Sequence, residues 1–194
     1  MPIGLPEAGT RACDREARAL LGPRRSSVFP APLRAALLAS DREQASRITQ
    51  AIDGRGVSAQ AFGIHSKIYE LDASLRRRRD RRAKDRGVVV REVHPELSFR
   101  EWNGGTPIAH AKRTREGHLE RRRLVEAWLG ADVLASARAA PGGGVHPKKH
   151  LADDDILDAI ATLWTAQRIL DGRARCVPAD PPVDAVGLAM EIVF

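Results

Sequence analysis

Residues 88–99, which read VVVREVHPELSF, constrain the fold of this chain more than any other stretch. The run Val88, Val89, Val90 is β-branched, and β-branched side chains favour strands. The apolar pattern resumes with Leu97 and Phe99. We therefore predict that this stretch is a buried strand around which the rest of the chain is arranged.

Glu96 stands near the exit of this predicted strand. It follows Pro95, whose ring fixes its own φ and favours an extended conformation for the residue before it. The carboxylate of Glu96 would then leave the strand in a defined direction, which indicates a site. The alternative is that Glu96 is a solvated turn residue.

The length and composition are those of a globular protein. The chain has 194 residues, 43% of them hydrophobic and 29% charged, which predicts one domain over residues 1–194. Its net charge of +7 makes a polyanion such as nucleic acid the first partner to consider. Only five of the 32 basic residues are Lys, however, and so strong a preference for Arg could also reflect a GC-rich genome.

The cysteine usage and the hydrophobic runs predict a cytoplasmic protein without a membrane segment. Cys13 and Cys176 are far apart and form no CxxC or Cys/His ligand spacing, which argues against a disulfide scaffold or a zinc finger. No apolar run reaches the length of a signal peptide core or of a membrane span.

Most of the chain has helical patterns. Thr10 and Ser58 are suitable N-caps, and Ile64 and Ile68 belong to an amphipathic helix that follows Ser58. The Arg-rich stretch 76–86 ends this helix, either as a phosphate-binding patch or as a solvated helix end. Further helices are predicted over residues 11–21, 33–38, 41–52, 114–129 and 152–170.

Two aspartates of the last helix are candidate metal ligands. Asp155 and Asp158 are three residues apart, so their side chains project from neighbouring positions and could share a divalent cation. The preference for Asp at helix N-termini would explain Asp153 and Asp154 without any metal. It does not explain Asp158, which lies deeper in the helix.

Two basic pairs are candidate phosphate contacts. Arg24 and Arg25 precede two serines, and together these residues could hold a phosphate. A solvated loop with local serine caps explains them as well. Lys148 and Lys149 follow a glycine-rich break and form the second basic pair.

Several phrases of the sequence resemble a prokaryotic family, domain-of-unknown-function family 429, whose members are described as predicted nucleases with an RNase H-like fold. The resemblance covers nearly the whole chain. The phrases that carry it are MPIGLP (1–6), RACDRE (11–16), PRRSSVFPAP (23–32), VHPELSF (93–99), NGG (103–105), DDILDAIATLWT (154–165) and GLAMEIV (187–193).

The resemblance implies an α/β fold of the RNase H-like type with a carboxylate metal site. Such nucleases gather three or four carboxylates around one or two Mg²⁺ ions. Matched by motif, Glu96 would be the strand-end ligand, and Asp155 and Asp158 the helix pair. These three residues would be both the metal ligands and the catalytic residues. Oxygen ligands of this kind suit Mg²⁺ or Mn²⁺.

The chain departs from the family pattern at its start. Family members usually have a glycine-rich strand with an Asp, then hairpin strands, before the MPIGLP phrase, and this sequence starts at that Met. Either the recorded start is internal to a longer reading frame, or this is a genuinely shortened member of the family. We therefore expect a helix-rich fold with an incomplete or N-terminally shortened mixed sheet. Its exposed edge would favour a homodimer.

The sequence thus predicts a metal-dependent nuclease of the RNase H-like type, which the shortened start could leave inactive. Glu96, Asp155 and Asp158 would hold the metal, and Arg24, Arg25, Lys148 and Lys149 would contact phosphates. The alternative is a non-catalytic module that binds nucleic acid or a protein, and a third reading is a non-functional remnant.

Overall fold

The computed structural model of this chain describes residues 1–80, 88–139, 144, 145, 147 and 151–194. Two short 3-10 helices cover Gly22–Ser27 and Arg34–Ala36. Within the described ranges the only sheet is an antiparallel pair of strands, in which Cys176 lies opposite Val193. The fold is therefore helix-rich with a small sheet. The α-helices and strands are α1 (Ala12–Leu21), α2 (Arg42–Asp53), α3 (Ala59–Phe62), α4 (His65–Asp80), α5 (Pro95–Trp102), α6 (Arg115–Leu129), α7 (Val133–Arg138), α8 (Asp153–Leu170), β1 (Cys176–Val177) and β2 (Ile192–Val193).

The chain divides into two compact units. The first unit comprises Met1–Ala19, Val28–Glu92 and Arg175–Val193, and the second comprises Leu20–Ser27, Val93–Ala174 and Phe194. The single domain over residues 1–194 stays a prediction. Among the described residues, none of the helices combines the length and the apolarity that crossing a membrane requires.

The prediction of a strand over residues 88–99 is wrong. The side chains of Val88 and Val89 are 64% and 75% exposed, without regular secondary structure. Helix α5 begins at Pro95, after His94 in an extended N-cap conformation. Proline suits the first helical position because its φ is already helical and the missing N–H would have no partner there. Pro95, which was predicted to lie near the exit of a strand, therefore starts a helix.

The predicted starts of the helices over 114–129 and 41–52 agree better with the structure, whereas Thr10, predicted as a cap, is separated from α1 by Arg11. The Thr114 hydroxyl accepts a hydrogen bond from the Gly117 N–H at 3.1 Å and starts α6. Asp41 caps α2 in the same way through the Gln44 N–H at 2.8 Å. Ser58 also caps a helix, but this helix is the short α3, and α4 begins only at residue 65. The helix predicted over 33–38 is a 3-10 helix of three residues.

A buried ion cluster ties distant segments of the first unit together. The Arg11 guanidinium lies 2.6 Å from an Asp14 oxygen and 2.7 Å from a Glu92 oxygen, and it also donates to the carbonyl of Ile3. Asp14 in turn accepts the N–H of Ala31. We call Arg11, Asp14 and Glu92 the Arg11 cluster. Their side chains are between 1% and 7% exposed, so the cluster is part of the core.

The core of the second unit packs α5 against α8. The hydroxyls of Ser98 and Thr165 are hydrogen-bonded at 2.8 Å, and both residues are buried. The rings of Trp102 and Trp164 are stacked with centroids 4.9 Å apart. This packing fixes α8 beside α5. Its buried apolar residues are Phe99, Ile108, Val125, Leu134, Ile156, Leu157, Ile160 and Ala161.

Candidate functional site

Glu96 lies in the first turn of α5, where it is 7% exposed. Its two carboxylate oxygens both accept hydrogen bonds from Nη2 of Arg121, each at 2.7 Å. Nε of Arg121 donates a further bond at 3.2 Å. The carboxylate is thus held at the N-terminus of α5 by the guanidinium of Arg121.

Arg121 is positioned by α6, one turn beyond a glycine that lets this helix approach the preceding loop. A Cβ at Gly117 would lie 2.1 Å from the carbonyl oxygen of Ala111, so only glycine fits there. Nη1 of Arg121 donates to the carbonyls of Gly117 and His110, and with the three bonds to Glu96 all five of its N–H groups are used. Arg121 is 1% exposed, so this pair is a buried structural contact.

Lys112 holds two carboxylates of α8. Its Nζ lies 3.1 Å from an oxygen of Asp158 and 3.5 Å from an oxygen of Asp154. We call these three residues the Lys112 cluster. The side chains of Lys112, Asp158 and Asp154 are 39%, 26% and 38% exposed, respectively, so solvent reaches each of them. The spacing of four residues places Asp154 and Asp158 one above the other on the helix.

The electrostatics couple the Lys112 cluster to Glu96. Burial raises the pKa of Asp158, and the charges of Glu96 and Asp154 raise it further, although Lys112 lowers it. Burial alone would lower the pKa of Lys112, but Asp158 and Asp154 outweigh this, so that its pKa is raised. Two of the predicted ligands, Glu96 and Asp158, therefore lie close enough to influence each other.

Asp155, the third predicted ligand, belongs to the helix terminus. It is exposed, and its carboxylate accepts the N–H of Ala152 at 3.3 Å. Asp153 is bound by Nε of Arg138 at 2.9 Å. The residue that shares a cation with Asp158 is therefore Asp154 and not Asp155.

The carboxylates in this arrangement are engaged by cationic side chains. Glu96 uses both oxygens to bind Arg121, while Asp154 and Asp158 share the ammonium of Lys112. Among the residues that the structure describes, no group of three or more His, Cys, Asp or Glu side chains is placed to hold a metal. The charges that a divalent cation would balance are balanced by Arg121 and Lys112.

A basic cleft of about 420 Å³ adjoins the Lys112 cluster at the start of α6. Lys112, Arg113, Arg115 and His118 line it, together with Asp153 and Asp154. Arg113 and Arg115 are exposed, and within the described ranges neither makes an ion pair. The cleft therefore offers two guanidinium groups to an anionic ligand.

The predicted phosphate contacts lie elsewhere in the chain. Arg24 and Arg25 belong to the 3-10 helix Gly22–Ser27, where the Ser27 hydroxyl donates to the Arg24 carbonyl at 2.8 Å. Neither guanidinium has an acidic partner in the part of the chain that is described. Lys148 and Lys149 lie outside the described residues.

Sequence reasoning missed the cations of the site. Arg121 lies 25 residues from Glu96, and Lys112 lies 46 residues from Asp158. No local pattern connects residues at such separations. The spacing of four between Asp154 and Asp158 was the only signal available, and it favours this pair over Asp155 and Asp158 for sharing one cation.

The fold and the site together define a class: a helix-rich protein whose acidic groups on α5 and α8 are paired with basic side chains. Residues 1–183 match the family described as "Protein of unknown function (DUF429)", and the chain belongs to this family. The family resemblance predicted from the sequence phrases is confirmed. The chain matches no curated protein and no solved structure.

Proposed function

We propose that this chain binds nucleic acid without cleaving it, through phosphate contacts in the basic cleft. The observation that carries this proposal is that the acidic side chains of the site are paired, whereas two of its basic side chains are not, among the described residues. Glu96 and Asp158 already have cationic partners, whereas Arg113 and Arg115 are exposed and unpaired among the described residues. These two guanidinium groups are therefore available to bind an anionic partner.

Phosphates are the anions best suited to such a cleft. Guanidinium groups bind phosphate oxygens with paired hydrogen bonds, and the N-terminus of α6 adds a favourable dipole. The net charge of +7 favours the approach of a polyanion from a distance. Arg24 and Arg25, in the same unit, would extend the phosphate contacts.

The test is the salt dependence of binding to a fluorescent single-stranded oligonucleotide, measured by anisotropy in EDTA. We expect the double variant Arg113→Gln, Arg115→Gln to bind more weakly. Its slope of log K against log salt should be shallower by roughly 0.7 for each phosphate that the variant no longer neutralises. Arg42→Gln, Arg47→Gln removes the same charge from exposed positions on α2 and is the matched control.

Two outcomes would overturn the proposal. One is the absence of binding at low salt, where counterion release most favours the complex. The other is an equal loss of affinity in the cleft variant and in the α2 control, which would mean that net charge matters and the cleft does not.

The electrostatic coupling of Glu96 and Asp158 favours a second candidate, a metal-dependent nuclease with the RNase H-like fold that the family resemblance implies. In this candidate Glu96, Asp155 and Asp158 keep their predicted roles as ligands of Mg²⁺ or Mn²⁺. Incubation of labelled DNA and RNA with either metal tests it. Cleavage by the wild type that is lost in Asp158→Asn would replace the non-catalytic proposal, and intact substrate would support that proposal.

A calorimetric titration with Mn²⁺ separates the roles of the two α8 aspartates. It should give no binding heat in the wild type if Lys112 and Arg121 balance the charges. Heat that disappears in Asp158→Asn would favour the nuclease. Asp155→Asn is the companion variant. If Asp155 is a ligand, this substitution should also remove the heat, and if Asp155 only caps the helix, the heat should remain.

A further inference from the structure

The basic cleft is lined by carboxylates as well as by cations. Its walls include Asp153 and Asp154, at the start of α8. Asp153 accepts a hydrogen bond from Nε of Arg138, which does not line the cleft. Asp154 instead lies beside Lys112, which is itself one of the basic residues of the cleft wall. A phosphate that enters the cleft therefore meets a cation and a carboxylate side by side.

The two carboxylates that hold Lys112 differ in their position relative to the cleft. Asp158 accepts a hydrogen bond from Nζ at 3.1 Å and does not line the cleft. Asp154 lies 3.5 Å from the same nitrogen and does line it. The longer of the two contacts is therefore on the side from which a ligand would approach.

The ammonium of Lys112 has room for a further acceptor. It carries three N–H donors at the end of a flexible side chain. Lys112 can therefore keep its hydrogen bond to Asp158 and donate a second one to a phosphate oxygen. The contact with Asp154 is the one that such a phosphate would replace. Ion pairs as exposed as this one contribute little to stability, so the exchange requires little free energy.

Asp154 also opposes a phosphate by its own charge. Like charges repel each other at short range even where solvent reduces the interaction. The carboxylate thus competes for Lys112 and at the same time weakens the attraction that Arg113 and Arg115 exert on an anion. Both effects have the same sign, since each lowers the affinity of the cleft.

We infer that Asp154 limits the affinity of the basic cleft for phosphate, because it occupies the side of Lys112 that faces the cleft. The inference rests on the proposed nucleic-acid binding, whose phosphate contacts are Arg113 and Arg115. With the charge of Asp154 removed, Lys112 becomes a third phosphate contact. With the charge present, the cleft is restricted to weaker binding that releases the strand more readily.

The variant Asp154→Asn tests the inference, because asparagine keeps the size of the side chain and removes its charge. Binding to the fluorescent single strand is again measured by anisotropy in EDTA. We expect the variant to bind roughly 2- to 5-fold more tightly than the wild type, the effect of one partly exposed ion pair. Its slope of log K against log salt should be steeper by roughly 0.7, the value for one more neutralised phosphate.

Asp132→Asn is the matched control, because it makes the same change in net charge in the same unit. Asp132 is exposed, lies outside the cleft wall and makes no capping hydrogen bond at the start of α7. We expect this variant to bind like the wild type. A second control uses the background Lys112→Met, in which Asp154→Asn should no longer steepen the slope, because no ammonium is left to contact the additional phosphate.

Three results would overturn the inference: unchanged affinity in Asp154→Asn, an equal gain in Asp132→Asn, or a steeper slope that persists in the Lys112→Met background. In each of these cases, weaker binding by the double variant Arg113→Gln, Arg115→Gln would still support the proposed function. Absence of binding by the wild type at low salt would overturn the proposed function and the inference together.

Discussion

The Arg11 cluster and the Lys112 cluster have the same composition, one cation between two carboxylates, but they differ in burial and in contact distance. In the Arg11 cluster the shortest contacts are 2.6 and 2.7 Å, and every side chain is at most 7% exposed. In the Lys112 cluster they are 3.1 and 3.5 Å, and the side chains are 26% to 39% exposed. Two clusters of the same composition can therefore have different roles, and the difference in burial determines which role each has.

Burial changes what the removal of a partner costs. Removing one member of a buried ion pair leaves a charge in a medium that solvates it poorly, and typically costs about 3–5 kcal/mol. An exposed pair loses little, because water replaces the partner. The cations of the two clusters differ accordingly. Arg occupies the buried cluster, where its planar fork suits fixed bidentate contacts, and Lys, whose ammonium is a flexible point charge, occupies the partly exposed one.

The largest effect should come from Arg11→Met, which leaves Asp14 and Glu92 buried without their cation. We expect the free energy of unfolding to fall by about 3–5 kcal/mol, measured by urea denaturation. Arg47→Met removes an exposed arginine whose partner on α2 is also exposed, and serves as the control. Equal decreases in the two variants would contradict the assignment of the Arg11 cluster to the core.

Arg121→Lys should have the next largest effect and tests whether the second unit has a buried contact of the same kind. Lysine keeps the charge but cannot reproduce five N–H bonds in the plane of a guanidinium. We expect the free energy of unfolding to fall by about 1–3 kcal/mol, the cost of leaving buried acceptors unsatisfied. A variant as stable as the wild type would show that charge alone holds Glu96.

The sequence predicted helix starts better than it predicted the long-range contacts of the site. Thr114 and Asp41 cap their helices through residues three positions away, so the signal is local and readable. The Val88 run has strand propensity, but a strand also needs a partner strand, and no strand in the described part of the chain pairs with this run. Arg121 and Lys112 find their carboxylates across 25 and 46 residues, which no periodicity records.

The sequence phrases that indicate the family also contain part of the Arg11 cluster. The phrase RACDRE supplies both Arg11 and Asp14, and the carbonyl of Ile3 from MPIGLP accepts a bond from Arg11. These phrases were used to identify the family. In the structure they also hold the first unit together, a role that becomes visible only once Glu92 is placed beside them.

His65 sharpens the comparison because it is buried like the Arg11 cluster but has no partner in the described residues. Burial lowers its pKa below the ordinary 6.5, so the unfolded chain takes up a proton more readily than the folded one. Stability should therefore fall as the pH decreases below 6.5, until the pH passes the folded pKa. The variant His65→Phe should lose this part of the pH dependence in urea denaturation between pH 7 and 5. A variant with the same acid sensitivity as the wild type would mean that another group is responsible.

The smallest effect on stability should come from Lys112→Met. Because the Lys112 cluster is partly exposed, we expect the free energy of unfolding at pH 7 to fall by only about 0–1 kcal/mol. The pH dependence gives the clearer signature. Burial and neighbouring carboxylates raise the pKa of Asp158 above 3.8, so the folded form binds a proton more readily than the unfolded chain, and the charged carboxylate costs stability at neutral pH. Lys112 offsets part of this cost, hence the difference between the variant and the wild type should be largest at pH 7 and should shrink as acid protonates Asp158. A decrease as large as that of Arg11→Met, independent of pH, would show that the two clusters are energetically alike despite their difference in burial.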